Sequence, residues 1–264
     1  MTSEHDLVTV THDETTGIAT LTFNRPAVFN ALDVALAAAF EEAVAGLVRV
    51  APLRCVVLTG AGKAFVAGGD VAAFAADLDH ADRTLGRILN HMHPALLALR
   101  GLDAPVLAAV NGAAAGAGLS LVLGADFVVA NRSARLVMAY DKLGVPPDCG
   151  GTWFLSRKVG RARAFDMMLM GTVLSAEEAM AQGLVNVVAD PDDFEAAVCS
   201  AAERIAAGPT LAFGRFKRLM DAELPLAAQL EAEREAFTAC ARSEDFRTAA
   251  TAFVAKRTPT FRGL

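Results

Sequence analysis

Two stretches of small residues carry the first chemical signal in this chain. Gly60-Ala-Gly-Lys-Ala-Phe-Val-Ala-Gly68-Gly69-Asp70 and Asn111-Gly112 through Gly118 each follow an apolar run and lead into a helical pattern. Small side chains let a ligand approach the main chain closely, and the first N–H groups of a helix have no partner inside it. Two such donors, one from each stretch, can grip a single oxygen on which negative charge develops, as an oxyanion hole does. Phosphate-cradling alternatives do not fit. Gly62-Lys63 is followed by Ala64 rather than Ser or Thr, and Gly116-Ala117-Gly118 is followed by Leu121 where a dinucleotide fingerprint needs glycine.

A third stretch, Val145-Pro146-Pro147-Asp148-Cys149-Gly150-Gly151-Thr152-Trp153, offers a carboxylate. By pattern alone Asp148 is a helix N-cap as readily as an acid–base group, because Gly-Gly-Thr and an apolar run follow it. Cys149 reads as a small packing residue, since no histidine is fixed beside it by sequence. His93, just before Pro94, reads as a solvent-facing or packed helix residue, and Asp141 with its neighbour Lys142 as an exposed ion pair.

Alternating elements must hold these residues in place. Strands are expected at 8–10, 18–23, 55–59, 106–110, 127–130, 136–139 and 184–188, and helices at 33–48, from 70, at 85–100 and after the second glycine stretch to near Gly124. Asp33 is placed as an early acidic residue or cap of its helix. From Gly150 onward the pattern is mostly helical, with an amphipathic stretch at 226–237 whose apolar face needs a partner. The fold class is therefore α/β, with a core carrying the site over 1–195 and a helical region over 196–264.

At 264 residues and 54% hydrophobic, the chain can bury a sizeable core. A net charge of −6 and the absence of clustered Lys and Arg argue against a nucleic-acid partner. The scattered cysteines Cys55, Cys149, Cys199 and Cys240 suggest neither a zinc site nor a disulfide framework, and fit a reducing cytoplasm. Glu4, Asp6 and Asp13, with no Lys or Arg before residue 15, argue against a leader peptide. No apolar run reaches the roughly 18 residues of a membrane span, so no membrane partner is expected.

Ala64-Phe65-Val66-Ala67-Gly68-Gly69-Asp70 resembles the first signature of the crotonase (enoyl-CoA hydratase/isomerase) superfamily, and Ala108-Ala109-Val110-Asn111-Gly112 through Leu119, with Ala125-Asp126, resembles the second. The likeness extends along the chain through Asn24-Arg25-Pro26, Asn30-Ala31-Leu32, Gly150-Gly151-Thr152, Leu174 to Ala179 and Gly183-Leu184-Val185. It implies a spiral of ββα turns with a helical C-terminal region. The Gly69 and Ala117 N–H groups would then hold a thioester carbonyl while a proton leaves the adjacent carbon, with no metal and no cofactor besides the coenzyme A of the substrate.

Hydratases of this family use two glutamates, and the matching positions here hold Ser120 and Tyr140. The resemblance is greatest to isomerases of bacterial phenylacetate catabolism that rearrange ring-epoxidised phenylacetyl-CoA, in which Asp148 would be the catalytic base. It implies a substrate and CoA site of Arg25, Ala64, Ala67, Gly68, Tyr140, Phe253 and Lys256, the last two often supplied by a neighbouring subunit of a homotrimer or hexamer. Alternatives are a hydratase with an atypical acid/base set using Asp141, an aryl-acyl-CoA dehalogenase in which His93 activates water, and a non-catalytic acyl-CoA binder.

Overall fold

The computed structural model describes residues 6–264; the leaderless reading of the N-terminus rests partly on Glu4, which lies outside the described residues. Two sheets form the frame. The larger has six strands in the order β1 (Val8–Asp13), β2 (Ile18–Phe23), β3 (Cys55–Gly60), β5 (Val106–Val110), β7 (Phe127–Asn131) and β10 (Val187–Ala189), parallel except for the β1–β2 hairpin. The smaller holds β4 (Ala64–Val66), β6 (Ala113–Ala115), β8 (Arg135–Val137) and β9 (Val173–Ser175).

A parallel sheet needs cover on both faces, and the period-two alternation of β3 shows how this chain supplies it. Val56 and Leu58 enter the main core, while Cys55 and Val57 face a second cluster closed by helix α7 (Phe194–Ala206). Helix α1 (Val34–Leu47) lies on the main-core side. Asp33 caps it by accepting from the Leu36 N–H at 2.7 Å, and Phe40 packs on Phe23 with ring centroids 5.1 Å apart. Further along the chain come α2 (Val71–Ala75), α3 (Ala81–Gly101), α4 (Ala117–Gly124), α5 (Gly151–Leu169), α6 (Ala176–Ala181), α8 (Thr210–Asp221), α9 (Leu226–Cys240) and α10 (Glu244–Val254). Apart from the closing Gly124, every residue of α4 is buried, which explains why its sequence is apolar all round.

The glycine stretches differ from their expected form as plain loops. Each contains a three-residue strand, and these pair in parallel, Ala64 with Ala113 and Val66 with Ala114. Strands of three residues are too short to show an alternation, so β9 also escaped the sequence pattern. The last parallel strand begins at Val187 rather than 184, and α3 begins at Ala81 and carries Pro94 within it.

Candidate active site

Pairing of β4 with β6 sets the two glycine segments side by side. Gly68 takes φ +96° and Gly116 φ +53°, main-chain conformations that side chains other than glycine's rarely accept. Leu32 N–H donates to the Gly68 carbonyl at 2.7 Å and Asp70 N–H donates to the Leu32 carbonyl at 2.9 Å, forming a parallel bridge around Gly69. In such a bridge the enclosed residue turns its own N–H to the opposite side. Ala117 is the first residue of α4, so its N–H lacks an intrahelical acceptor. Neither N–H has a hydrogen-bond partner among the described residues, and both residues line one cavity of about 250 Å³.

Two side-chain amides, the buried Asn30 and the half-buried Asn111, pin the first segment. Asn30 Nδ2 lies within hydrogen-bond distance of the Ala61, Ala64 and Phe65 carbonyls, and its Oδ1 accepts from the Arg25 N–H. Asn111 Nδ2 reaches the carbonyls of Gly60, Gly62 and Ala64 from the second segment. Phe74 closes over Gly69 so tightly that a Cβ there would lie 2.6 Å from its ring.

Asp148 lines the same cavity, as do Ala67, Gly68 and Tyr140. Its side chain does not cap α5; Gly150 occupies the cap position without a side-chain bond. Instead Oδ1 accepts from the Tyr140 hydroxyl at 2.6 Å, and that hydroxyl lies 3.1 Å from Ser120 Oγ. The two positions that resemble the glutamate sites of hydratases are thus bonded to each other, and Tyr140 links them to Asp148. Burial, followed by the Asp148 charge, pushes the Tyr140 hydroxyl far above the usual phenol range. Burial likewise pushes the Cys149 thiol up, with Asp148 adding to the effect, so both neighbours of the carboxylate stay protonated.

Several candidates fall elsewhere. The exposed Asp141 rests beside Gly171, outside the cavity, and forms no ion pair with Lys142. Lys142 instead lines the cavity, as its one cation among the described residues. His93 is exposed and borders a separate apolar cavity of about 470 Å³ with Trp153 and Phe154, which meets the first only at Cys149. The Arg25 guanidinium is matched by Asp33 at 3.1 Å and Asp70 at 3.3 Å, and it donates to the Ala31 carbonyl. Ala64 is buried, with its carbonyl held by both amides. Phe253 and Lys256 are exposed at the end of α10 and do not line this cavity within one chain. The sequence suggests an apolar wall of Phe, Val and Tyr residues but names no positions; the structure builds it from Phe74 and Val145, with Leu85, Ile88, Leu89 and Leu143 beside them. Only the spacing of Leu85, Ile88 and Leu89 along α3 could have signalled its positions.

Paired parallel strands each end in a glycine turn that frees an N–H beside a carboxylate, a geometry able to hold an oxygen on which negative charge develops, and the chain belongs to the enoyl-CoA hydratase/isomerase family, whose model matches residues 13–263. Over 250 residues it is 40% identical to the 1,2-epoxyphenylacetyl-CoA isomerase of Escherichia coli (strain K12), covering 94% of this chain and 95% of that protein. It is 36% identical over 246 residues to the 2,3-dehydroadipyl-CoA hydratase of the same strain, covering 92% and 94%. The crystal structure of an enoyl-CoA hydratase from Polaromonas sp. JS666 superposes with a TM-score of 0.89 at 34% identity, covering 97% of this chain and 99% of that one. The fold is the expected crotonase type.

Proposed function

We propose that this family member is an acyl-CoA isomerase that shifts a double bond, or rearranges a ring-epoxidised aryl-acetyl-CoA, through a thioester enolate. The observation that carries this reading is that, among the described residues, Asp148 is the one carboxylate on the cavity where the Gly69 and Ala117 N–H groups are free. Those donors meet the thioester oxygen as charge grows on it, favouring the enolate over the ground state. Asp148 removes the proton beside the thioester and returns it further along the conjugated system. Similarity to a 1,2-epoxyphenylacetyl-CoA isomerase and the apolar wall support an aryl or short conjugated acyl group.

Hydration is the second reading, favoured by the similarity to a 2,3-dehydroadipyl-CoA hydratase. Ser120 and Tyr140 weigh against it, because a hydroxyl does not replace a carboxylate as base near neutral pH. The position of His93 outside the cavity weighs against dehalogenation. Coenzyme A would run from the first glycine segment towards Phe253 and Lys256 of a neighbouring subunit. The exposed Phe216, Leu226, Phe237 and Phe253 on α8–α10 support a homotrimer or hexamer.

Incubation with a β,γ-unsaturated acyl-CoA and, separately, with crotonyl-CoA tests the assignment. A rise in conjugated enoyl-thioester absorbance with the first substrate and stable absorbance with the second is expected. Rapid loss of crotonyl-CoA absorbance without isomerisation would select the hydratase instead.

A further inference from the structure

The chain Ser120–Tyr140–Asp148 has a fixed polarity. An ionised carboxylate only accepts, so the Tyr140 hydroxyl must donate its single hydrogen to Asp148 Oδ1 at 2.6 Å. Ser120 Oγ, 3.1 Å away, must then donate to the phenol oxygen. Both supporting side chains are buried, Ser120 at 0% exposure and Tyr140 at 6%. Burial and the nearby Asp148 charge oppose ionisation of Tyr140, so the phenol keeps its proton. A carboxylate turns easily about its last torsion, and the Tyr140 hydroxyl holds this one at Oδ1, with the Cys149 thiol as a further side-chain partner. Among the described residues, the other charged or titratable side chains lining the cavity besides Tyr140 are Lys142 and the protonated Cys149.

We propose that Tyr140, itself oriented by Ser120, is the positioning residue of Asp148, holding Oδ1 so that Oδ2 alone carries the proton during isomerisation. The inference rests on the isomerase reading above. Oδ2 takes a proton from the carbon beside the thioester, and the C–H electron pair moves into the enolate held by Gly69 and Ala117. Because Tyr140 still donates to Oδ1, the acquired proton sits on Oδ2 and faces the dienolate. It is then delivered to the far carbon of the conjugated system while the electron pair reforms the thioester carbonyl. No other reactant is consumed.

Isomerisation by wild type, Tyr140→Phe, Ser120→Ala and Asp148→Asn, each run in H₂O and in D₂O after a thermal melt confirms folding, tests the proposal. Tyr140→Phe should lower kcat on the order of 10–100-fold with KM nearly unchanged, the signature of a misoriented base. Deuterium at the receiving carbon should rise above wild type, because a loosened carboxyl exchanges its proton with solvent before delivery. Ser120→Ala should move both readings the same way by a smaller factor, and it reports even if the Tyr140 variant fails to fold. Unchanged kcat and deuterium content in the folded variants would overturn the positioning role, as would a change confined to KM. An inactive Asp148→Asn beside an unimpaired Tyr140→Phe would sink this inference alone, whereas an active Asp148→Asn would sink the isomerase reading itself.

Discussion

Gly68 and Gly116 meet main chain to main chain: a Cβ on Gly116 would stand 3.5 Å from the Gly68 Cα, and one on Gly68 would stand 3.2 Å from the Ala115 carbonyl oxygen. This contact fixes the spacing between the two N–H donors that follow, Gly69 and Ala117. Gly116 combines φ 53° with ψ −123°, outside the ordinary allowed regions for other residues. Gly116→Ala should therefore cost about 1–3 kcal/mol of stability. By displacing the Ala117 donor it should also lower kcat/KM by about 10²-fold or more. Urea unfolding and steady-state kinetics on one preparation measure both, and a stable, fully active variant would contradict the two-segment site.

Asp148→Asn keeps the volume of the side chain and removes the base. Turnover of a β,γ-unsaturated acyl-CoA should fall by about 10²–10⁴-fold. Binding of the CoA ester, followed by isothermal titration, should survive, because the oxyanion donors belong to other segments.

Tyr140 is the single tyrosine of the chain, so its ionisation can be read alone from tyrosinate absorbance. Burial and Asp148 raise its folded-state pKa far above the unfolded value of about 10. Its contribution to stability is therefore fully present below pH ~10 and is lost as pH climbs through the raised folded value. Native protein at a pH just above 10 should show no tyrosinate band, and denaturant should release it. A band in the native protein at that pH would show the phenol to be solvated.

Arg54 lies buried and ties distant segments together, donating to the carbonyls of Ala206, Gly208 and Phe261. Asp245 completes the clasp by accepting from the N–H groups of Arg262 and Gly263. Arg54→Met should lower stability by about 2–4 kcal/mol, since one buried and two half-buried carbonyls lose their donor. It should also expose the last residues to carboxypeptidase, and mass spectrometry of the digested chain would reveal an unchanged tail if the clasp were unimportant.

Much of the larger sheet was legible beforehand because its strands are long, β-branched runs: 18–23 and 106–110 were expected and formed as Ile18–Phe23 and Val106–Val110. The N-cap of α1 at Asp33 was legible for a local reason, an acidic residue just before an apolar helix. The strands β4 and β6 were hidden, since three residues carry no period, and pairing between distant segments makes them strands. The ion pairs of Arg25 were not readable in the sequence, because one carboxylate partner, Asp33, precedes the first glycine segment and the other, Asp70, closes it.

The sequence by itself determined the α/β class, the two glycine segments and the residue types able to polarise a thioester, because these depend on composition and local pattern. Tertiary structure alone decided that Asp148 faces the cavity instead of capping a helix, that Tyr140 and Ser120 attend it, and that His93 and Asp141 stand apart. Side-chain direction follows from packing between segments far apart in the chain, and no single segment encodes that packing.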